Sequence, residues 1–377
     1  MRMYFAGILL AAACASPPTG GPPAPAPLPV GDGFDYRIGV SSESGDIISW
    51  IRPGPDSLAV ERVVPVGIMP ADIDGPHNVA MAPDQRSYYV TIAHGAPYGT
   101  LWRMDAAGDT LLGRATLEYY PTTIALTPDG ELAFVANSDF FGDRPRKNPV
   151  SVVHTESMEK IADVTACDMP HGVRVNRAGT RVYVTCMDSD ELLELDVSTF
   201  AIARRARTGT ATPADHAAHG APTGSAPAGP GAAGACAPTY VSVSPDDRTL
   251  FVACNAGNSL QVWDAATLEP RGQVAVGKGA YNVEVSPDGG LVLVTNKKDR
   301  SVSLVDARSL KEIARIPTTK PVVHGVAWSP DGRYAYISQE SVGADPGAVD
   351  MLDVAGRRVV ATVPLPAQPT GITIHRR

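Results

Sequence analysis

Along this chain apolar and polar positions alternate in short runs, and the runs recur as one phrase. The phrase opens on His, Thr or Tyr and continues with an apolar alternation. A Ser-Pro-Asp-Gly turn or a variant follows, and then Tyr/Phe-Val-Thr/Ala. Copies begin at His77, Thr122, His171, Thr239, Tyr281 and His324, and a seventh, cut short by the end of the chain, begins at Thr370. The steps between openers are 45, 49, 68, 42, 43 and 46 residues. A period in this range is that of propeller blades.

Each copy decodes into four strands. In the third copy, 171–175 alternates, Asn176-Arg177-Ala178-Gly179 reverses the chain, and 180–186, 191–196 and 201–207 supply the remaining runs. Pro presets φ in these turns, Asp bonds its local backbone, and Gly permits positive φ. The seventh copy is split. Its first strand is 370–375, and the runs 36–41, 47–51 and 60–66 at the other end of the chain supply the rest. The pattern therefore predicts an all-β, seven-bladed β-propeller, its ring closed by pairing the C-terminal strand with the N-terminal strands. Closure of this kind removes the unpaired edge of an open sheet.

Tyr89-Val90-Thr91, Phe134-Val135-Ala136-Asn137, Tyr183-Val184-Thr185, Phe251-Val252-Ala253 and Val294-Thr295-Asn296 each follow a Pro-Asp-Gly-like turn. In these residues the chain, over roughly 35–377, resembles the YVTN repeat family of seven-bladed β-propellers. That family lies within the superfamily that includes the haem-binding propeller of nitrite reductase and propeller lactonases. The resemblance implies that the first strand of each blade lines a central tunnel. It also implies that the loops leading into that strand share one face with the loops joining strands two and three. The fold hosts binding modules, enzymes and scaffolds alike, so it specifies no ligand.

The termini and the charge narrow the setting. Arg2 precedes the apolar run Met3 to Ala13, and Leu10-Ala11-Ala12-Ala13-Cys14 resembles a bacterial lipobox. The expectation is a signal peptide over 1–13, a lipidated Cys14 and a Pro/Gly/Ala-rich tether over 14–33, ahead of a propeller over 34–377. Ordinary signal cleavage near Cys14 is the alternative. An apolar run of about 11 residues is too short to span roughly 30 Å of hydrocarbon. The expected location is therefore the bacterial periplasm or cell envelope, with membrane attachment through lipid. The chain carries 32 basic and 40 acidic residues with no basic stripe, so nucleic acid is not an expected partner. A monomer that meets a small molecule or a protein at the tunnel face is the expectation.

Candidate chemistry gathers on that face. Three openers are His77, His171 and His324, which could ligate a metal, supply an axial haem position or contact an anionic ligand. The alternative is that histidine replaces threonine in bonding a neighbouring blade's backbone. Four cysteines lie in blades 3 and 4, and reflection about each turn sets His171 opposite Cys186 and Thr239 opposite Cys254. In an exported chain they read first as the disulfides Cys167–Cys186 and Cys236–Cys254. The other reading is a metal site drawing on Cys167, Cys186, Cys236 and Cys254 with His171, where nearby Met169 and Met187 favour copper(I). No C-x-x-C-H occurs, which excludes covalent c-type haem.

Arg174 and Glu284 replace the small residue found at the fourth first-strand position elsewhere, so they need partners or water. They are placed with the histidines on the ligand-binding face. The insertion 209–235 carries His216 and His219 and reads as a surface loop, or alternatively as a lid over the same face. Rim loops at 94–99, 139–149 (with Arg144, Arg146 and Lys147) and 340–347 suit a polar ligand. No catalytic residue is assigned. The leading expectation is a ligand- or protein-binding module. The alternative is a copper- or haem-dependent oxidoreductase, or a lactonase-like hydrolase, using the His/Cys-bearing face.

Overall fold

The computed structural model describes residues 34–68, 73–94, 98–140, 148–209 and 234–376. Within them the alternating runs become seven four-stranded antiparallel sheets. Six are built from consecutive strands. The seventh runs in the order β28 (Pro369–Arg376), β1 (Tyr36–Ser42), β2 (Ile47–Gly54), β3 (Ser57–Pro65). Tyr36 pairs with Arg376 and Ile38 with Ile374, so the first and last strands close the ring as the split repeat predicts.

Strand position sets the hydrophobic pattern. A second strand such as β5 (Ser87–Ile92) or β9 (Leu132–Asn137) is covered on both faces and reads as a near-continuous buried run. Outermost strands such as β11 (Glu159–Thr165) and β15 (Ile202–Arg207) alternate between half-buried and exposed positions. The core is accordingly divided: seven apolar clusters each straddle two neighbouring blades. One, for example, joins Ile48, Trp50 and Val64 of blade 7 to Val79, Tyr88 and Trp102 of blade 1. Each blade is thus held by the packing of its two faces on its neighbours.

The turns follow their sequence. In blade 5, Ser286 Oγ donates to Asp288 (2.6 Å) and accepts from Leu291 N (2.9 Å), while Gly289 takes φ of 78°. One feature was invisible in the sequence. In every blade the pairing of the first and second strands shifts register near the opener, as between Pro170 and Val173. The partner of Cys186 is therefore Pro170, and that of Cys254 is Pro238, one residue before the openers. A simple reflection misses this because a bulge adds a residue to one strand only and re-aims its side chain.

Candidate functional site

Hydroxyl groups sew the openers together around the axis. Thr370 Oγ1 donates to the carbonyl of His77 (2.8 Å), Thr239 Oγ1 to that of Tyr281 (2.5 Å), and Thr122 Oγ1 to that of His171 (3.3 Å). A second set comes from the second strands: Thr91 reaches Thr122 O, Thr185 reaches Thr239 O, Thr295 reaches His324 O and Ser338 reaches Thr370 O, at 2.6–3.2 Å. His171 joins this stitching, its Nδ1–H donating to Thr239 O at 3.0 Å. For that histidine the threonine-like role holds.

The other two histidines do something else. His77 turns its Nδ1 to Glu43 Oε2 at 3.0 Å, and His324 bonds no neighbouring opener. All three rings are buried and converge on the axis: His77 lies 6.4 Å from His171 and 5.6 Å from His324, centre to centre. Tyr281 fills the gap between His171 and His324 at 5.5 and 4.6 Å, and its hydroxyl donates to His171 Nε2 at 3.1 Å. His171 is thereby bonded at both nitrogens. Nε2 of His77 and Nδ1 of His324 are buried with no hydrogen-bond partner.

Two carboxylates flank the cluster. Glu43 sits in a one-turn 3-10 helix (Glu43–Gly45) of the split blade. It receives His77 Nδ1, His94 Nε2 (2.9 Å) and the Tyr120 hydroxyl (2.6 Å). Burial pushes its pKa up, but the charge and hydrogen bond of His77, with the bonds from His94 and Tyr120, outweigh burial and hold it well below the ordinary carboxylate range. The same bond to Glu43 raises His94. On the other side Glu340 pairs with Lys297 Nζ at 3.0 Å and lies 3.8 Å from His324 Nε2, while Lys297 rests 4.3 Å over the Tyr281 ring. Burial drives His171 down to about 3, with His77 adding to the effect. Burial and then Lys297 hold His324 well below its usual value, so both rings are neutral at pH 7.

Glu43 and Lys297 went unnoticed in the sequence, and Glu340 stood out only as the start of a rim loop, although a signal exists. The residue sixteen places past each opener is Ala93, Ser138, Met187, Asn255, Lys297 and Glu340 in blades 1 to 6. In the split blade the same place, just after the second strand, falls on Glu43.

The cysteines form Cys167–Cys186 and Cys236–Cys254 as expected. The thiolate metal site is thereby corrected, because sulfurs paired with one another offer no thiolate to a metal. Their position explains the bonds. In blade 2 the equivalent Asn137 accepts from Glu118 N at 3.3 Å, and in blade 6 Gln339 accepts from Lys320 N at 2.7 Å. Each holds the loop leading into its own blade, and the disulfides do so covalently. Among the described residues no three His, Cys, Asp or Glu groups assemble as a metal-holding set.

Arg174 and Glu284 do meet, as an ion pair bridging across blade 4 where Ser242 Oγ also bonds Glu284. They do not stand with the histidines. Each lies three residues past its opener, about 10 Å along an extended strand. There they line a tunnel cavity of about 320 Å³ with Asn78, Thr123, Tyr240 and Asn282, and a second of about 380 Å³ with Arg177 and Arg376. Cys14, His216, His219, Arg144, Arg146 and Lys147 lie outside the described residues.

Seven interlocked sheets around a polar tunnel make this chain a seven-bladed β-propeller, with repeats consistent with the YVTN-type superfamily. Residues 289–374 match the family model of the Cytochrome D1 heme domain. Among solved structures the chain is similar to hydrazine synthase of Kuenenia stuttgartiensis, with a TM-score of 0.63 and 19% identity over 82% of this chain and 99% of that one. It is also similar to a functionally unknown protein from Desulfotomaculum acetoxidans DSM 771, with a TM-score of 0.68 and 13% identity over 90% and 98% of the two chains. At these identities the likeness is one of fold.

Proposed function

We propose that this protein is an extracytoplasmic binding module that takes a small ligand at the histidine-lined mouth of its tunnel. The observation that carries the reading is the pair of buried, unpartnered nitrogens, His77 Nε2 and His324 Nδ1. Leaving a buried polar atom unpaired costs about 1–3 kcal/mol. Threonine fills the opener's structural role elsewhere, so histidine at these two places is not needed for the fold. Two disulfides favour an oxidising compartment, and attachment through Cys14 completes the reading as a surface-tethered monomer.

A second reading, a haem-binding propeller with redox chemistry, draws on the family match, whose span includes His324 and Glu340. The donor set fits, since a neutral imidazole with a free nitrogen is what haem iron takes. His77 or His324 would supply it, and haem would bring electron-transfer chemistry. The hydrolase reading has no such support, because Glu43 and Glu340 are each already bonded to basic side chains.

Protein secreted without a histidine tag tests both. Native mass spectrometry and absorbance should show a retained small molecule or a Soret band, and either should be lost in His77→Gln and His324→Gln. Equal, ligand-free spectra for all three proteins, with no thermal shift on adding haem or a periplasmic extract, would overturn the proposal.

A further inference from the structure

We infer that His77 Nε2 and His324 Nδ1 form a two-imidazole site for copper(I). The inference rests on the reading of this mouth as the working surface, and it concerns a bare ion. Glu43 is an acceptor-only carboxylate, so the proton between it and His77 sits on Nδ1, and the unpartnered Nε2 is the nitrogen an ion would take, displacing any proton there. A carboxylate behind a ligating imidazole in this way fixes its tautomer and raises its basicity. Glu43 is itself fixed by His94 and Tyr120. On the neighbouring ring Glu340 lies on the Nε2 side at 3.8 Å, beyond hydrogen-bond reach but close enough for its charge to favour a proton there, and Nδ1 meets no partner. Lys297, whose ammonium lies over the Tyr281 ring, holds Glu340 at 3.0 Å.

Each ring thus has a carboxylate on one side and an unpartnered nitrogen on the other, with a hydrogen bond to the carboxylate at His77 alone. Two imidazoles sharing one ion at about 2.0 Å per nitrogen place their ring centres roughly 5–6.5 Å apart. The rings of His77 and His324 are 5.6 Å apart and 79° inclined. Zinc prefers four ligands and catalytic zinc at least three from protein, and the described residues supply two. Imidazole suits copper, and a monovalent ion is content with few donors. An ion also needs no slot wider than the gap between two rings, which suits a cluster packed this closely.

The test uses the full mature protein, untagged and carrying His216→Ala and His219→Ala to silence the insertion. Copper(I) is titrated anaerobically against bicinchoninate, and zinc is titrated in parallel. We expect one equivalent of copper, with two nitrogen scatterers at about 2.0 Å by X-ray absorption. His77→Gln and His324→Gln should each weaken binding at least 100-fold, and Glu43→Gln about 10- to 100-fold, as loss of a group behind a ligand does. Circular dichroism screens each variant for folding, and the wild-type absorption spectrum stands if one does not fold. No copper uptake, sulfur in the first coordination sphere, or uptake unchanged in both histidine variants would overturn the site. If copper is refused while an organic ligand is still retained, the ion inference fails and the module reading stands. If neither binds, both fail.

Discussion

His171, His77 and His324 occupy one repeat position, yet one is a stitch between blades and two present bare nitrogens. The difference lies in what stands behind each ring. Glu43 is the residue on which most depends, since His77, His94 and Tyr120 all use it as their acceptor. Glu43→Ala should cost about 3 kcal/mol in urea unfolding, within the range for breaking a buried charged network. The NMR-detected pKa of His94, raised by Glu43, should fall back toward that of a free histidine. Acid should act through the other two rings. His171 and His324 are neutral in the folded protein and take up protons on unfolding below about pH 6.5, because their folded pKa values are depressed. Their contribution is fully present above that pH and is lost as pH falls, at about 1.4 kcal/mol per unit for each proton. His94, with its pKa raised, acts oppositely and only above about pH 6.5. Unfolding midpoints should therefore drop steeply from pH 6 to 4.5, and a flat profile there would contradict the buried neutral pair.

At the level of elements, blades, turns and the split seventh repeat were all legible, because strand alternation and turn chemistry are local. The cysteine pairs were legible for the same reason, each lying within one blade. Two things were not. The bulge beside every opener leaves no trace in composition, so facing residues came out one place off. Glu43 matches Lys297 and Glu340 only once the split blade is assembled, and no spacing along the chain connects 43 to 370. Arg174 and Glu284 stood out as charged exceptions, but three residues of strand rise carried them off the histidine face. The loop ties yield a prediction. Each disulfide closes a loop of 19 or 18 residues, worth about 3 kcal/mol in the chain-entropy account. Cys167→Ala/Cys186→Ala should lose about that much in urea. Cys167→Ala/Cys186→Asn should recover part of it, because Asn137 does the same work in blade 2 by hydrogen bonds.

For the whole molecule, stability is shared around a ring whose last joint is β1 against β28. Removing residues 369–377 takes away that joint and exposes β1 as an unpaired edge. Such a truncation should elute as aggregate and lack a cooperative thermal transition. A permuted chain that joins residue 376 to residue 34 by a short linker, and opens instead within the insertion at 209–235, keeps every strand pair. It should melt cooperatively near the parent, and failure there would show that closure alone does not hold the ring. The split blade also sets an order of assembly. The strands β1 to β3 precede the six consecutive blades in the chain but acquire their inner neighbour, β28, only from beyond them. Until that last strand is in place no complete ring exists, and the six consecutive blades can stack only as an open arc that locks when β28 meets β1.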